Sequence, residues 1–267
     1  MSLTQQTSAP TGSPTGGFSE DAWQSVGAWF TAITSHPFLT ALADGSLPEQ
    51  VFCRYLIDDA HYLNGYSAAL ATLSARSDDL DGRVMLARSA ASAIEAERSL
   101  HRGYLLPRGI DPDAAGAPEP SPTCVGYVEG LRSAAALQPL GVGMAAVLPC
   151  FRVYAEVGCW IVNKTDLAGP AVRTSERVDE RSDDHPYRDW IGAYSDPAFA
   201  EAVRAAEAYT DLLADRAGPT VREAMADAYR RATRWEWMFW NAAWVGESWP
   251  TPGTVAQPRS AAEINSR

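Results

Sequence analysis

The sequence predicts an all-α protein folded as a single-domain helical bundle, and three observations carry that expectation. Apolar residues recur at steps of three and four through several long segments, the period of a helix with one buried face. No segment alternates apolar and polar residues for long enough to make a strand. Gly, Pro and Asp clusters mostly separate the periodic segments, and 267 residues with 46% hydrophobic content suffice for one core.

Along the chain, residues 1–18 are rich in Ser, Thr, Pro and Gly and aperiodic, which predicts a disordered arm. They have neither the basic nor the apolar region of a secretory signal. Helices are expected near 19–35, 48–75, 80–106, 122–136, 139–164, 186–194, 197–215 and 220–246. The second follows Asp44-Gly45, with Pro48 in its first turn. Residues 109–122 read as a loop, and 165–184 as a charged insertion bearing Gly and Pro. Gly218-Pro219-Thr220 opens the last long helix. Residues 249–267 form a second expected disordered tail, leaving 19–248 as the folded domain. No stretch stays apolar for about 18 residues, so no membrane span is expected.

A net charge of −11 and a pI near 4.8 argue against nucleic acid as a partner. The four cysteines, Cys53, Cys124, Cys150 and Cys159, are irregularly spaced and form no CxxC pair. They read as free thiols of a reducing cytoplasm.

The informative features are functional groups on helix stripes that should be apolar. Phe52, Tyr55, Leu56, Tyr62, Leu63, Tyr66 and Leu70 form such a stripe, and Asp59 falls within it while Asp58 points elsewhere. A buried carboxylate must be paired, hydrogen-bonded or protonated; its bland role is to cap a neighbouring helix or pair with a core arginine. Cys150 lies on the stripe of Ala146, Val147, Val153, Val157 and Ile161, with Tyr154 one turn further on. Pro149 bends that helix and frees a carbonyl near position 145. Glu236 shares a face with Met225, Ala228, Ala232, Phe239 and Ala243, among Trp235, Trp237 and Trp240. So apolar a setting should raise its pKa toward neutrality, as an acid/base needs. Each group taken alone is equally a packed thiol or a satisfied buried carboxyl. Together they predict a polar-lined pocket inside the bundle, suited to a flat aromatic ligand with edge nitrogens.

Other chemistries find little support. No Gly-rich phosphate loop, GxSxG elbow or HExxH motif occurs. His36 and His185 each precede a proline, which suggests turn or helix-start roles. Glu97 and His101 share a helix face, but a di-iron bundle needs a second such set, and none is found. No metal or cofactor is expected.

The motifs, taken in order, resemble the TenA/thiaminase II family. The first runs from His36-Pro37-Phe38 through Ala43-Asp44-Gly45-Ser46-Leu47-Pro48 to Tyr55-Leu56-Ile57-Asp58-Asp59-Ala60-His61-Tyr62-Leu63. The second runs from Leu148-Pro149-Cys150 to Gly158. His185-Pro186-Tyr187 with Trp190-Ile191-Gly192 and Tyr194, then Trp235-Glu236-Trp237-Met238-Phe239-Trp240, complete the likeness, which spans about 20–246. The resemblance implies a haem-oxygenase-like helical fold used without haem, a homotetramer, and an aminopyrimidine aminohydrolase. It implies that Cys150 is the thiol that adds to the pyrimidine ring. It implies that Glu236 contacts the ring edge and shuttles a proton, and that Asp59 contacts the exocyclic amine and helps to activate the thiol. It assigns Tyr62, Tyr127, Tyr154 and Tyr194 to the substrate pocket. The insertion at 165–184 is longer than the resemblance leads one to expect.

The expected reaction is covalent catalysis with acid/base help, converting an aminomethylpyrimidine, or thiamin, to hydroxymethylpyrimidine for thiamin salvage. Two alternatives stay open: a metal-dependent oxygenase of the same superfamily, and a pyrimidine- or thiamin-binding protein without catalysis.

Overall fold

The structure is a computed structural model that describes residues 16–111, 114, 117–165 and 185–251, without the side chains of Glu97, Leu100 and His101. Among the described residues there is no strand. Ten α-helices follow in order: α1 (Phe18–Ser25), α2 (Gly27–Thr34), α3 (Pro37–Asp44), α4 (Glu49–Arg76), α5 (Leu80–Leu100), α6 (Pro122–Leu137), α7 (Leu140–Thr165), α8 (Arg188–Tyr194), α9 (Pro197–Asp215) and α10 (Pro219–Val245). The all-α expectation holds. Most of both expected tails, all but Thr165 of the insertion at 165–184, and the side chains of the Glu97/His101 pair lie outside the described residues.

Helix ends follow from local chemistry. The imidazole of His36 caps α3, with Nδ1 accepting from the Phe38 N–H at 3.1 Å. Ser121 and Asp196 cap α6 and α9 ahead of Pro122 and Pro197. Gly45 and Gly246 end α3 and α10 in the left-handed region, at φ 75° and 68°. His185 repeats the His36 device: Nδ1 accepts from the Tyr187 N–H at 3.2 Å. Its Nε2–H is then the donor to the Ala43 carbonyl, at 3.2 Å. The Tyr187 hydroxyl donates to Leu47 O at 2.5 Å, so this turn is fastened to the α3–α4 connection.

Four expectations change. The segment near 19–35 is two helices, broken at Val26 (φ −109°, ψ 12°) before Gly27. A short helix, α3, lies between the first two expected helices, where none was placed, and His36 takes the helix-start role. The helix near 80–106 leaves α geometry at His101 for a π-type turn and then a 3₁₀ turn at Leu106–Arg108. Finally, α7 is long and apolar enough to cross a membrane by length and composition. It packs against α6, α8, α9 and α10, and that enclosure accounts for its apolar character.

The core sits where α4, α7 and α10 meet, with α6 closing one side. Gly65 allows α4 to lie against Val128 of α6 without a Cβ between them. On the other side of α7, Arg152 ion-pairs with Glu156 (2.8 Å) and Glu207 (2.5 Å) and lies over the Trp23 ring, tying α1 and α9 to the helix that carries Cys150.

Candidate active site

Four helices each bring one face to a common interior region. From α4 come Tyr55, Asp59, Tyr62 and Tyr66, at steps of four, three and four, all buried. From α6 comes Tyr127, from α7 Cys150 and Tyr154, and from α10 Glu236, Phe239 and Trp240. The short helix α8 adds Tyr194. Its approach depends on Gly158, where a Cβ would come within 2.8 Å of the Tyr194 carbonyl group.

The Tyr127 hydroxyl donates to Glu236 Oε1 at 2.6 Å. Tyr62 packs on Tyr127 (ring centroids 5.0 Å apart) and on Phe239 (5.4 Å). Tyr154 packs on Tyr194 at 4.7 Å and on Trp240 at 5.3 Å, and its hydroxyl is 3.2 Å from that of Tyr55. Phe239 also packs on Tyr55 at 5.8 Å and Tyr66 on Tyr62 at 5.5 Å, so these contacts link five of the seven expected positions, and Asp59 and Cys150 lie near enough to Glu236 for their charges to interact. Cys150 and Tyr194 keep part of their surface accessible, although the groups around them are buried.

The electrostatics are those of a desolvated interior cluster. Burial raises the Glu236 carboxyl to about 8; the Tyr127 hydrogen bond opposes this and the Asp59 charge adds to it. At neutral pH Glu236 is therefore mostly protonated and able to donate. Burial also pushes the Cys150 thiol well up, and the charges of Glu236 and Asp59 push it further, while the Tyr62 and Tyr66 hydroxyls pull it down. The resting sulfur is a thiol, so a reaction at it needs a base nearby. Among the described residues the buried Tyr62 hydroxyl makes no well-formed hydrogen bond, although it stands close to Cys150 and Tyr127. A ligand atom would supply one.

Three placements lay beyond the sequence reading. Asp58 does turn away from the pocket, but it is buried, and its Oδ1 accepts from the Ser121 N–H at 2.8 Å at the start of α6. The capping role considered for Asp59 thus belongs to its neighbour. Tyr55 and Tyr66 were seen only as stripe residues; their spacing from Asp59 was the available signal. The side chain that enters the Pro149 region is Tyr66, whose hydroxyl donates to Val147 O at 3.0 Å. A groove of about 590 Å³ also opens beside Asp58, lined by Arg54, Glu119, Glu247 and Trp249, and it contains none of the seven positions.

Residues 23–246 match the family model described as TENA/THI-4/PQQC family. The chain belongs to this family. It is 34% identical over 238 residues to the thiamine biosynthesis multifunctional protein ThiED of Corynebacterium efficiens, covering 89% of this chain but 30% of that protein. The chain therefore spans under a third of the length of the first relatives it matches. It is 28% identical to the aminopyrimidine aminohydrolase of Bacillus subtilis, over 87% of this chain and 92% of the relative. Among solved structures, a TenA homologue from P. horikoshii superposes with a TM-score of 0.72 at 23% identity, covering 86% of this chain and 99% of that one. A Shewanella denitrificans domain with a haem-oxygenase-like fold gives 0.61 at 13% identity, covering 85% and 92%. The fold is that of the TenA and haem-oxygenase-like proteins.

Proposed function

We propose that this TenA-family protein is a thiamin-related pyrimidine hydrolase whose preferred reaction is aminopyrimidine aminohydrolysis. The observation that carries this reading is the buried Glu236, bonded by Tyr127 and pushed by burial toward its protonated form, close to the Cys150 thiol among buried phenols. A flat ring can lie among Tyr62, Tyr127, Tyr154 and Tyr194, with its nitrogens turned to the carboxyls.

In the proposed reaction Glu236 gives its proton to a ring nitrogen, which draws electron density from the ring. Asp59 takes the Cys150 proton, and the sulfur adds its electron pair to an electron-poor ring carbon. Asp59 passes that proton to the amine nitrogen as the electrons of the adduct expel ammonia from the exocyclic methylene; the thiazole of thiamin leaves as the neutral base without it. Water adds at that methylene and gives up a proton to Asp59. The C–S bond then breaks, and sulfur and carboxyl recover their protons. Aminomethylpyrimidine and water become hydroxymethylpyrimidine and ammonia. The names of the Bacillus subtilis and Corynebacterium efficiens relatives agree with a place in thiamin metabolism. We place the enzyme in the cytoplasm as a homotetramer that needs no metal, acting in salvage of degraded thiamin.

The test is incubation of the purified protein with 4-amino-5-aminomethyl-2-methylpyrimidine and, separately, with thiamin, followed by mass analysis. Hydroxymethylpyrimidine should form from both, faster from the aminomethyl compound. Binding of either compound without product would refute the hydrolase reading.

A further inference from the structure

We propose that the groove beside Asp58 is a second ligand site, separate from the Cys150–Glu236 cluster, and that it takes a flat organic cation on the face of the Trp249 indole. Nothing in the proposed reaction requires it, and the two readings stand or fall apart.

The groove opens where the start of α6 and the end of α10 meet α4 between Arg54 and Asp58. Its volume of about 590 Å³ is that of a small-molecule site. Trp249 forms one wall. Its side chain is 47% exposed and yet anchored, because the indole N–H donates to the Pro120 carbonyl at 2.9 Å. With that donor occupied, only the ring face is left to recognise a ligand.

Three carboxylates line the groove, those of Asp58, Glu119 and Glu247, against the one guanidinium of Arg54. Asp58 accepts from the Ser121 N–H and Glu247 from the Thr123 N–H, which fixes their positions and leaves their charge in place. Arg54 is turned to the end of α10, where its Nε–H donates to the Ala243 carbonyl at 3.1 Å. Among the described residues no ion pair joins any of the three acids to a cation. The start of α6 adds partial positive charge and the end of α10 adds partial negative charge, so the two helix ends offset one another. The surplus is negative, in a chain whose net charge is −11.

A negative groove with one exposed aromatic face selects cations that can lie against a ring. A metal ion does not suit it, since no three His, Cys, Asp or Glu side chains among the described residues converge closely enough to hold one. Anions are repelled, and a neutral ring would use the indole but not the acids. The class that uses both is a heteroaromatic ring with a fixed positive charge. Asp58 and Glu247 supply background charge from their helix-end positions. Glu119 is exposed and caps no helix, so it is the acid able to move toward the ligand.

The experiment is calorimetric titration of the full chain at neutral pH with 1-methylquinolinium, a flat cation, and with quinoline, its uncharged counterpart. We expect the cation to bind at one site, roughly tenfold tighter than quinoline, and to weaken as salt is raised. Trp249→Ala should weaken it about tenfold and Glu119→Gln about threefold. Saturating hydroxymethylpyrimidine should leave its affinity unchanged. Absence of binding, equal affinity for the two ligands, or an unchanged affinity in Trp249→Ala overturns the proposal. Competition by hydroxymethylpyrimidine also overturns it, because the cation would then sit in the Cys150–Glu236 cluster. Should Trp249→Ala fail to fold, Glu119→Gln decides: an affinity that does not fall refutes the site. The titration needs no turnover, so a protein that binds the cation at Trp249 and forms no hydroxymethylpyrimidine would sink the hydrolase reading alone.

Discussion

Two thiol–carboxyl groupings, Cys124 with Asp58 and Cys150 with Asp59 and Glu236, flank α4, and they have opposite character. At the start of α6, Cys124 donates to the backbone carbonyl of Asp58 at 3.2 Å, and the Asp58 carboxylate accepts from Ser121. The Ser121 hydroxyl accepts from the Cys124 N–H at 3.1 Å, and Glu247 accepts from the Thr123 N–H at 3.0 Å. Those helix-end donors are satisfied, and two acids sit at the positive end of a helix. In the second group Cys150 is only partly buried, the Tyr62 hydroxyl makes no well-formed hydrogen bond among the described residues, and Glu236 is held protonated near neutrality. Burial raises the thiol in both places. The difference lies in how completely the surrounding groups are partnered: the first set is spent on structure, and the second is available to a ligand.

That contrast is broken most severely by exchanging the thiols. Cys150→Ser should reduce hydroxymethylpyrimidine formation on the order of 10⁴-fold or more, as loss of a nucleophile does. Cys124→Ala should keep most of the activity and lose about 1–2 kcal/mol of stability in urea unfolding. If both variants keep full turnover in a chromatographic product assay, the distinction between the two sites collapses.

The carboxyls sharpen the comparison next. Glu236→Gln keeps an acceptor for Tyr127 and should lower kcat by on the order of 10²–10⁴-fold. It should also stabilise the fold, with a pH dependence of definite sign. Because the folded pKa is raised from 4.5 to about 8, the native state carries no penalty below pH 4.5 and loses stability as pH climbs toward 8. At about 1.4 kcal/mol per unit, the variant should gain roughly 3 kcal/mol at pH 7 and little at pH 4.5. Denaturant titrations of both proteins at the two pH values check this, and an equal difference at both would contradict it. Asp58→Ala should show the opposite balance: kcat nearly unchanged, and stability lower by about 1–2 kcal/mol through loss of the α6 cap.

The smallest expected effect concerns α8. Gly158→Ala forces α7 and the Tyr194 backbone apart by a few tenths of an ångström or more. We expect KM for the aminomethylpyrimidine to rise severalfold with a smaller change in kcat, because the role proposed for Tyr194 is to bind substrate without reacting. A fall in kcat at constant KM would place Tyr194 in the chemical step instead.

Much of this molecule was legible in the sequence because its helices are long and capped by residues of unambiguous habit. Pro197 and Pro219, each at a helix start, and Gly246 after a helix end set boundaries that the structure keeps. The break at Val26 was less visible, since no proline marks it and the apolar period runs on through Trp29 and Ile33. The site was legible for a related reason: Asp59, Cys150 and Glu236 interrupt stripes that are otherwise apolar. Asp58 points away from the Asp59 stripe as expected and is buried all the same, because α4 is surrounded by α5, α6, α7 and α10 and buries more than one face. Tyr66 was hidden differently. A tyrosine on a core stripe looks like packing, and only the meeting of α4 with α7 shows where its hydroxyl goes.

The most direct test of a pocket built around a protonated carboxyl is the pH dependence of kcat/KM for the aminomethylpyrimidine, which reports the free enzyme. A falling limb centred near pH 8 is predicted, as Glu236 loses the proton it must give. A profile that stays flat or climbs through pH 9 would contradict Glu236 as the acid.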